Sequence, residues 1–150
     1  MNSKIKAAVL GCTGYAGLEL VYILTKHPNV TINFLGSQNH AGNFINKYDN
    51  RFGGTSLPKL NLLEKINFSE LDVAFFALPH NISQYIIKNN IGKSIFIDLS
   101  ADFRLRDPKI YKENYNIEHQ SPSLLKEFVY GLPEINHINI KNSKNIAVPG

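Results

Sequence analysis

The chain has 150 residues, 43% of them hydrophobic and 19% charged, which is typical of one globular domain and excludes a disordered segment. Its net charge of +4 comes without a long basic run, so the sequence does not favour nucleic-acid binding. No apolar run reaches the ~18 residues of a membrane span. The single cysteine excludes an internal disulfide, and the first residues predict no signal peptide, so we expect a cytoplasmic protein.

The first forty residues predict a βαβ unit. Residues 4–10 form an apolar strand, and a glycine-rich turn follows it. The next segment has an apolar stripe of Leu20, Val21 and Leu24 at helical spacing. Residues 30–36 predict the second strand.

The middle of the chain continues the alternation of strand and helix. Residues 71–78 and 94–100 are strongly apolar and predict buried strands. Residues 80–90 between them predict an amphipathic helix. We expect its inward face to consist of Ile82, Tyr85, Ile86 and Asn89.

Near-continuous apolar strands that alternate with helices are typical of a parallel sheet covered on both faces. The predicted fold is therefore α/β, a Rossmann-type, doubly wound and mostly parallel sheet. The remaining predicted elements are a long loop with a short helical piece at 37–58, a short strand at 59–62, helices at 107–115 and 137–144, and a last strand at 145–149.

Three glycines mark the turn between the first strand and the first helix. Gly11 ends the strand, and Gly14 and Gly17 open the helix. Bare backbone lets a pyrophosphate approach the helix N-terminus, where free N–H groups and the helix dipole favour anions. The spacing G-x-x-G-x-x-G is one residue longer than the G-x-G-x-x-G fingerprint, and a tight turn without a ligand is the alternative. Its position in the first βαβ unit favours dinucleotide binding.

Cys12 lies inside this turn and raises the question of a nucleophile. A helix N-terminus lowers the pKa of a thiol, which would favour reactivity. A side chain here would face the cofactor phosphates, however, far from a nicotinamide ring. We therefore interpret Cys12 as a small residue that fits a tight turn.

The end of the second strand bears on the choice between NAD and NADP. Sites that prefer NAD usually place an acid there to bind the ribose 2′-hydroxyl. This chain has Ser37 and Gln38 instead, which can hydrogen-bond a 2′-phosphate without repelling it. The sequence therefore predicts NADP(H), although no arginine follows immediately. Lys47 or Arg51 could supply the missing positive charge.

Two later turns follow strands that should end at the same edge of the sheet as the glycine turn, where ligands of open α/β sheets bind. In the first turn, the backbone of Leu78 and Pro79 would line the nicotinamide or its ribose. His80 could act as an acid or base, but we interpret it as part of the start of the next helix and not as a catalytic residue. In the second turn, Ser100 could hydrogen-bond the cofactor.

Two charged residues each allow two interpretations. Arg104 could bind an anionic group of a substrate, and the alternative is a salt bridge to Asp98 or Asp102. Glu134 could orient a group in the site, and the alternative is ordinary turn chemistry around Pro133.

Five motifs occur in a specific order, and together they resemble a known family. They are GCTGYAG, FFALPH, IDLSADFRL, YGLPE and the terminal AVPG. This series is similar, over all 150 residues, to the N-terminal part of N-acetyl-gamma-glutamyl-phosphate reductase, an enzyme of arginine biosynthesis. It resembles the aspartate-semialdehyde dehydrogenases more loosely. The motifs DLSADFR and YGLPE favour the reductase.

The resemblance implies roles for residues of these motifs. Cofactor binding would involve Gly11, Thr13, Gly14, Tyr15, Gly17, Ser37, Pro79 and Ser100, and substrate binding would involve Arg104 and Glu134.

The resemblance also implies the chemistry. In the family a cysteine follows the terminal Pro-Gly. The nucleophile would therefore lie directly beyond Gly150, and this chain would contain no catalytic residue. The thiolate attacks an acyl phosphate and expels phosphate, and NADPH then delivers a hydride to the resulting thioester. No metal is implied.

These observations lead to one leading hypothesis and two alternatives. Residues 1–150 would be an NADP-binding Rossmann-like domain that lacks the catalytic second domain and is inactive alone. The full-length protein would reduce N-acetyl-glutamyl 5-phosphate, a small acyl phosphate, to N-acetyl-glutamate 5-semialdehyde. It would be a homo-oligomer with no nucleic-acid or membrane partner. The alternatives are a fragment of an aspartate-semialdehyde dehydrogenase-like enzyme and a non-catalytic dinucleotide-binding module.

Overall fold

A computed structural model describes residues 3–150 of the chain. The chain forms two compact units that divide between Ala77 and Leu78. Each unit contains parallel strands connected through helices or loops.

Within its described residues, 3–77, unit 1 contains four strands and one α-helix. Its strand order is β3-β2-β1-β4, and every pairing within it is parallel. The connections contain four short 3-10 helices, at 45–47, 50–52, 63–65 and 68–70. The elements are β1 (Ile5–Leu10), α1 (Tyr15–Thr25), β2 (Val30–Gly36), β3 (Leu60–Asn61) and β4 (Val73–Phe76).

The apolar pattern of the sequence explains why unit 1 folds in this way. The last four residues of β1 are fully buried, as expected for a strand covered on both faces. Helix α1 packs through Gly17, Val21 and Leu24. Val9 and Leu35, from β1 and β2, join Val21 and Leu24 in the same apolar cluster.

Unit 2 contains three strands and three α-helices. Its strand order is β5-β7-β6, again with parallel pairing. A 3-10 helix spans Pro122–Glu127. The elements are α2 (Ile82–Lys88), β5 (Ile95–Asp98), α3 (Pro108–Tyr115), β6 (Val129–Tyr130), α4 (Pro133–Lys141) and β7 (Asn145–Ala147).

Helix α2 turns a different face to the interior from the predicted one. Ile82 and Tyr85, expected inside, are 41% and 69% exposed, so the predicted inward face is wrong. The N–H of Gln84 donates to the buried carboxylate of Asp102 at 3.3 Å, and this bond keeps a polar side of the helix inside. The buried residues are Ser83, Gln84 and Ile87.

The predicted α/β class with a parallel sheet is confirmed. Most strands are a few residues shorter than predicted, since the ends of the apolar runs continue into turns. The segment around YGLPE differs most, because it contains strand β6 and the first turn of helix α4 rather than a simple turn. The helices formed by residues 3–150 include none with the length and apolar character that a membrane span requires.

Candidate functional site

The glycine turn of unit 1 joins β1 to helix α1. Gly11 has a φ of 79°, a backbone conformation that glycine adopts without strain. Gly14 is the N-cap residue of α1 and has no side chain to cap the helix. Among residues 3–150, no backbone carbonyl accepts a hydrogen bond from the N–H groups of Tyr15, Ala16 or Gly17. Such free N–H groups at a helix N-terminus are donors suited to a phosphate.

Gly17 allows the helix to approach the turn closely. A Cβ atom at this position would overlap the carbonyl oxygen of Gly11 and lie 2.8 Å from the Cα of Cys12. Only glycine therefore fits, which is the predicted role of the third glycine in such a turn. At Gly14, by contrast, a Cβ would meet its nearest atom at 3.5 Å, an ordinary contact.

Cys12 faces the interior of unit 1 rather than a ligand. Its side chain is fully buried, and its Sγ donates to the carbonyl oxygen of Gly36 at 3.3 Å. Burial raises the pKa of the Cys12 thiol to about 12, so the thiol stays protonated near neutral pH. Cys12 is therefore a structural residue of the turn, and the helix N-terminus does not activate it.

A side-chain hydrogen bond connects the glycine turn to the end of β2. The hydroxyl oxygens of Thr13 and Ser37 lie 3.0 Å apart. Ser37 is 4% exposed, and its N–H donates to the carbonyl of Asn61 on β3 at 2.9 Å. The bond brings together two predicted cofactor-binding residues that are 24 positions apart.

The loop after β2 has no carboxylate near the strand end. The first acid beyond β2 is Asp49, which Arg51 engages in an ion pair at 2.8 Å. Arg51 also pairs with Glu19 at 2.8 Å, and Lys47 donates to the side chain of Asn43 at 3.3 Å. Arg51 therefore has two carboxylate partners already, which argues against the role suggested for it with a 2′-phosphate.

In unit 2, Ser100 belongs to a buried hydrogen-bonded chain of the loop after β5. Its hydroxyl donates to the carboxylate of Asp98 at 2.7 Å and accepts from the N–H of Asp102 at 3.1 Å. Its own N–H donates to the other oxygen of Asp98 at 3.1 Å. Burial raises the pKa of Asp98 to about 6, even though the bonds from Ser100 oppose the rise.

Asp102 ties this loop to the start of helix α2. Its carboxylate accepts from the N–H of Asn81 at 2.9 Å and from the N–H of Gln84 at 3.3 Å. The Tyr111 hydroxyl from α3 donates to it at 3.0 Å. A carboxylate at this place satisfies N–H groups of the first turn and complements the helix dipole.

His119 contacts the backbone of the same loop through a hydrogen bond to Asp102. Its Nδ1 accepts from the N–H of Ser121 at 3.0 Å, so the hydrogen lies on Nε2, which donates to the carbonyl of Asp102 at 2.8 Å. Burial lowers the pKa of His119 below its ordinary value. No sequence pattern predicts the role of this histidine, because its partners lie two and seventeen residues away in an irregular segment.

Pro79 and His80 form an exposed turn before α2. The Nδ1 of His80 accepts from the N–H of Ala101 at 3.2 Å, and its ring lies 5.6 Å from the ring of Tyr115. The turn is thus held to the loop that carries Ser100.

Arg104 binds backbone carbonyls instead of carboxylates. Its Nε donates to the carbonyl of Val148 at 2.7 Å, and its Nη2 donates to that of Leu99 at 2.8 Å. Arg104 forms no ion pair with Asp98 or Asp102, so the interpretation of Arg104 as the partner of a salt bridge is wrong. The guanidinium is half-buried and has no carboxylate partner among residues 3–150, which leaves its charge available to an anion.

Glu134 is exposed in the first turn of α4. An acid at this place complements the dipole of its own helix, which accounts for the residue without a ligand. Among residues 3–150, no group of three or more His, Cys, Asp or Glu side chains is arranged to hold a metal ion.

A parallel α/β fold with a glycine turn that opens onto a helix N-terminus is typical of dinucleotide-binding domains. Residues 6–143 match the model of the semialdehyde dehydrogenase family for its NAD-binding domain. The chain therefore belongs to the semialdehyde dehydrogenase family, and it carries the NAD-binding domain of that family.

Two relatives are similar over the whole chain. The N-acetyl-gamma-glutamyl-phosphate reductase of Rhodospirillum rubrum is 41% identical over 155 residues, which cover 100% of this chain and 44% of that protein. The LysW-L-2-aminoadipate/LysW-L-glutamate phosphate reductase of Saccharolobus solfataricus is 43% identical over 154 residues, covering 100% of this chain and 43% of that protein. The chain thus spans less than half the length of the curated relatives it matches.

Solved structures share the fold. Aspartate semialdehyde dehydrogenase II of Vibrio cholerae, complexed with ASA, superposes with a TM-score of 0.66 at 18% identity, over 99% of this chain and 42% of that one. Aspartate semialdehyde dehydrogenase of Candida albicans, with NADP, superposes with a TM-score of 0.58 at 20% identity, over 97% of this chain and 42% of that one.

Proposed function

We propose that this chain is the NADP-binding part of an N-acetyl-gamma-glutamyl-phosphate reductase of arginine biosynthesis. The protein would reduce N-acetyl-glutamyl 5-phosphate to N-acetyl-glutamate 5-semialdehyde and release phosphate. The observation that carries the proposal is the 41% identity with the Rhodospirillum rubrum reductase across all of this chain. Residues 1–150 would form the dinucleotide-binding domain, and the full protein would be a cytoplasmic homo-oligomer that acts on a small molecule.

In unit 1, the glycine turn would hold the pyrophosphate of the cofactor. Support comes from the free N–H groups of the first turn of α1 and from the close packing at Gly17, which leaves the backbone of the turn bare. Thr13, Gly14 and Tyr15 would contact the phosphates together with Gly11, through backbone N–H groups and the Thr13 hydroxyl.

Ser37 would lie near the adenosine ribose. Its hydroxyl oxygen lies 3.0 Å from that of Thr13, so a single hydrogen-bonded pair would contact both the phosphates and the ribose. The loop that follows carries Gln38 and no carboxylate before Asp49, which Arg51 already engages. A 2′-phosphate would therefore meet no repulsion, and this supports NADP(H) over NAD(H).

In unit 2, Pro79 and Ser100 would contact the nicotinamide half of the cofactor. When bound, NADPH supplies the hydride for the reduction. The Ser100 hydroxyl donates its hydrogen to Asp98, so it would offer a ligand only an acceptor lone pair. The loop that carries Ser100 would therefore contact the cofactor mainly through backbone groups.

Arg104 and Glu134 would act toward the substrate. The support for Arg104 is its half-buried guanidinium, which binds two backbone carbonyls and has no carboxylate partner among residues 3–150. An acyl phosphate could accept from its remaining N–H groups. Glu134, exposed at the start of α4, has weaker support.

The nucleophile would lie outside residues 1–150. The only cysteine of the chain, Cys12, is buried and protonated, so it cannot attack an acyl phosphate. The 150-residue chain alone would therefore bind cofactor without turnover.

The Saccharolobus solfataricus relative supports a second candidate, since it is 43% identical and its name specifies a substrate carried on LysW. An aspartate-semialdehyde dehydrogenase-like activity has support from the fold alone.

Steady-state kinetics of the full-length protein separate these candidates. The reaction is followed in the oxidative direction with NADP and phosphate, using N-acetyl-glutamate semialdehyde, aspartate semialdehyde and carrier-bound semialdehyde. We expect kcat/KM for N-acetyl-glutamate semialdehyde to exceed the others by about a hundredfold or more. A larger kcat/KM with either competitor would overturn the proposed substrate.

A further inference from the structure

His80 is held in a fixed orientation by two contacts within unit 2. Its Nδ1 accepts a hydrogen bond from the N–H of Ala101 at 3.2 Å. Its ring lies at 48° against the ring of Tyr115, with 5.6 Å between the ring centroids. Ala101 is 1% exposed, whereas His80 is exposed, so one edge of the imidazole faces the protein and the other faces solvent.

The bond from Ala101 also fixes the tautomer of His80. A nitrogen that accepts from a backbone N–H carries no hydrogen itself, so in the neutral ring the hydrogen lies on Nε2. Among residues 3–150, no acceptor for this Nε2–H is present. The protein thus holds an oriented N–H donor at its surface without using it.

The position of the His80 Nε2–H donor in the chain indicates which ligand it could contact. His80 comes four residues after the end of β4, and Ala101 comes three residues after the end of β5. Ligands of open α/β sheets bind beyond the carboxyl ends of strands. The neighbours Pro79 and Ser100 are already proposed cofactor contacts, so the donor stands between two segments expected to face the same ligand.

We propose that His80 binds the cofactor, with its Nε2–H donating to an oxygen of the nicotinamide half, a ribose hydroxyl or the carboxamide. The inference rests on the proposed function, because it assumes that a nicotinamide dinucleotide binds here. His80 has two separable parts: Nδ1 positions the ring through Ala101, and Nε2 contacts the ligand.

Two substitutions separate the parts. His80→Asn keeps an acceptor oxygen close to the place of Nδ1, so it can still receive the Ala101 N–H, but it has no donor at the place of Nε2. His80→Gln places its amide nitrogen close to Nε2 and loses the acceptor near Nδ1. His27→Asn is the matched control, because the Nδ1 of His27 also accepts a backbone N–H, from Asn29 at 3.2 Å, at the end of helix α1.

The measurements are dissociation constants for NADPH and for adenosine 2′,5′-bisphosphate, a probe without the nicotinamide half, together with thermal midpoints. For His80→Asn we expect an unchanged midpoint, NADPH binding weakened about three- to tenfold, and unchanged binding of the probe. For His80→Gln we expect a lower midpoint with NADPH binding closer to that of the unaltered protein. The His27 variant should bind both ligands normally.

Normal NADPH binding by His80→Asn would overturn the ligand contact, and so would an equal loss for NADPH and for the probe. If the unaltered protein binds adenosine 2′,5′-bisphosphate and NADPH but His80→Asn has no effect, only the role of His80 fails. If the unaltered protein binds neither, the proposed function fails with it.

Discussion

The hydroxyl groups of Thr13 and Ser37 lie 3.0 Å apart, although the two residues belong to different connections of the fold. Thr13 stands in the turn after β1, and Ser37 directly follows β2. Parallel pairing of β1 with β2 places Leu10 beside Gly36, so the residues that follow each strand meet at the same edge. The cofactor phosphates and the adenosine ribose are proposed to bind at these two residues.

The Thr13–Ser37 bond can be tested with a double-mutant cycle. Thr13→Val and Ser37→Ala each remove one partner and leave the other hydroxyl without it. We expect the two changes to be non-additive, with a coupling of about 1 kcal/mol in the free energy of unfolding measured in urea. Each variant should also weaken NADPH binding in a fluorescence titration. Additive effects on stability would contradict the hydrogen bond.

Gly17→Ala should destabilise the protein, because the new Cβ would overlap the carbonyl oxygen of Gly11. Relief requires helix α1 to move away from the turn, at a cost of about 1–3 kcal/mol or more. Gly14→Ala is the matched control in the same turn, since its Cβ would meet ordinary contacts. Urea unfolding should show a much larger loss for Gly17→Ala than for Gly14→Ala. Equal losses would refute the close approach at Gly17.

The Cys12 thiol should be inert in the native protein. It is fully buried, and burial raises its pKa to about 12, so very little thiolate is present at pH 8. A thiol reagent such as Ellman's reagent should leave the native protein unlabelled and label one thiol per chain in denaturant. Rapid labelling of the native protein at pH 8 would show that the thiol is accessible and would reopen the question of a nucleophile.

The same raised pKa predicts a loss of stability in alkali. The folded state holds the thiol proton more tightly than the unfolded chain, whose thiol titrates near its ordinary value of about 8.5. The stabilisation is complete below that value and is lost as the pH rises toward about 12. Cys12→Ala should flatten the fall in the urea midpoint between pH 8.5 and 10.5. An unchanged slope would contradict a buried, protonated thiol.

Asp98 predicts a pH effect near neutrality. Its folded pKa of about 6 exceeds the unfolded value of about 3.9, so the folded state binds the proton more tightly. Its contribution to stability is therefore greatest below pH 4 and is lost as the pH rises through 6. His119, whose pKa is lowered by burial, acts in the opposite direction as the pH falls.

The two contributions are separated by comparing the unaltered protein with Asp98→Asn at each pH. The difference in the free energy of unfolding between the two proteins should change between pH 4.5 and 7, with the unaltered protein gaining as the pH falls. A difference that does not vary with pH would show that Asp98 titrates normally.

Local sequence signals were sufficient for most of the framework. Strand β2 occupies Val30–Gly36, the predicted residues, because an apolar run there is bounded by a turn on one side and by glycine on the other. Gly17 and its role were predictable for a similar reason, since glycine spacing at a strand-to-helix turn reflects a backbone requirement that is local in sequence.

Long-range polar contacts were not predictable. The inward face of α2 is set by the carboxylate of Asp102, which lies 18 residues from Gln84 and captures its N–H. The sequence likewise left an ion pair for Arg104 open beside the binding of an anion, whereas the folded chain brings the carbonyl of Val148, 44 residues away, within 2.7 Å of its Nε. Hydropathy patterns carry no information about which buried polar groups will pair across the fold.

We propose that this chain binds NADP(H) through the glycine turn, and calorimetric titration of the purified protein with NADPH and NADH tests this binding. We expect saturable binding of one NADPH per chain, about tenfold or more tighter than NADH, since a 2′-phosphate would meet hydrogen-bonding groups and no carboxylate. The absence of saturable binding of either dinucleotide would contradict the account.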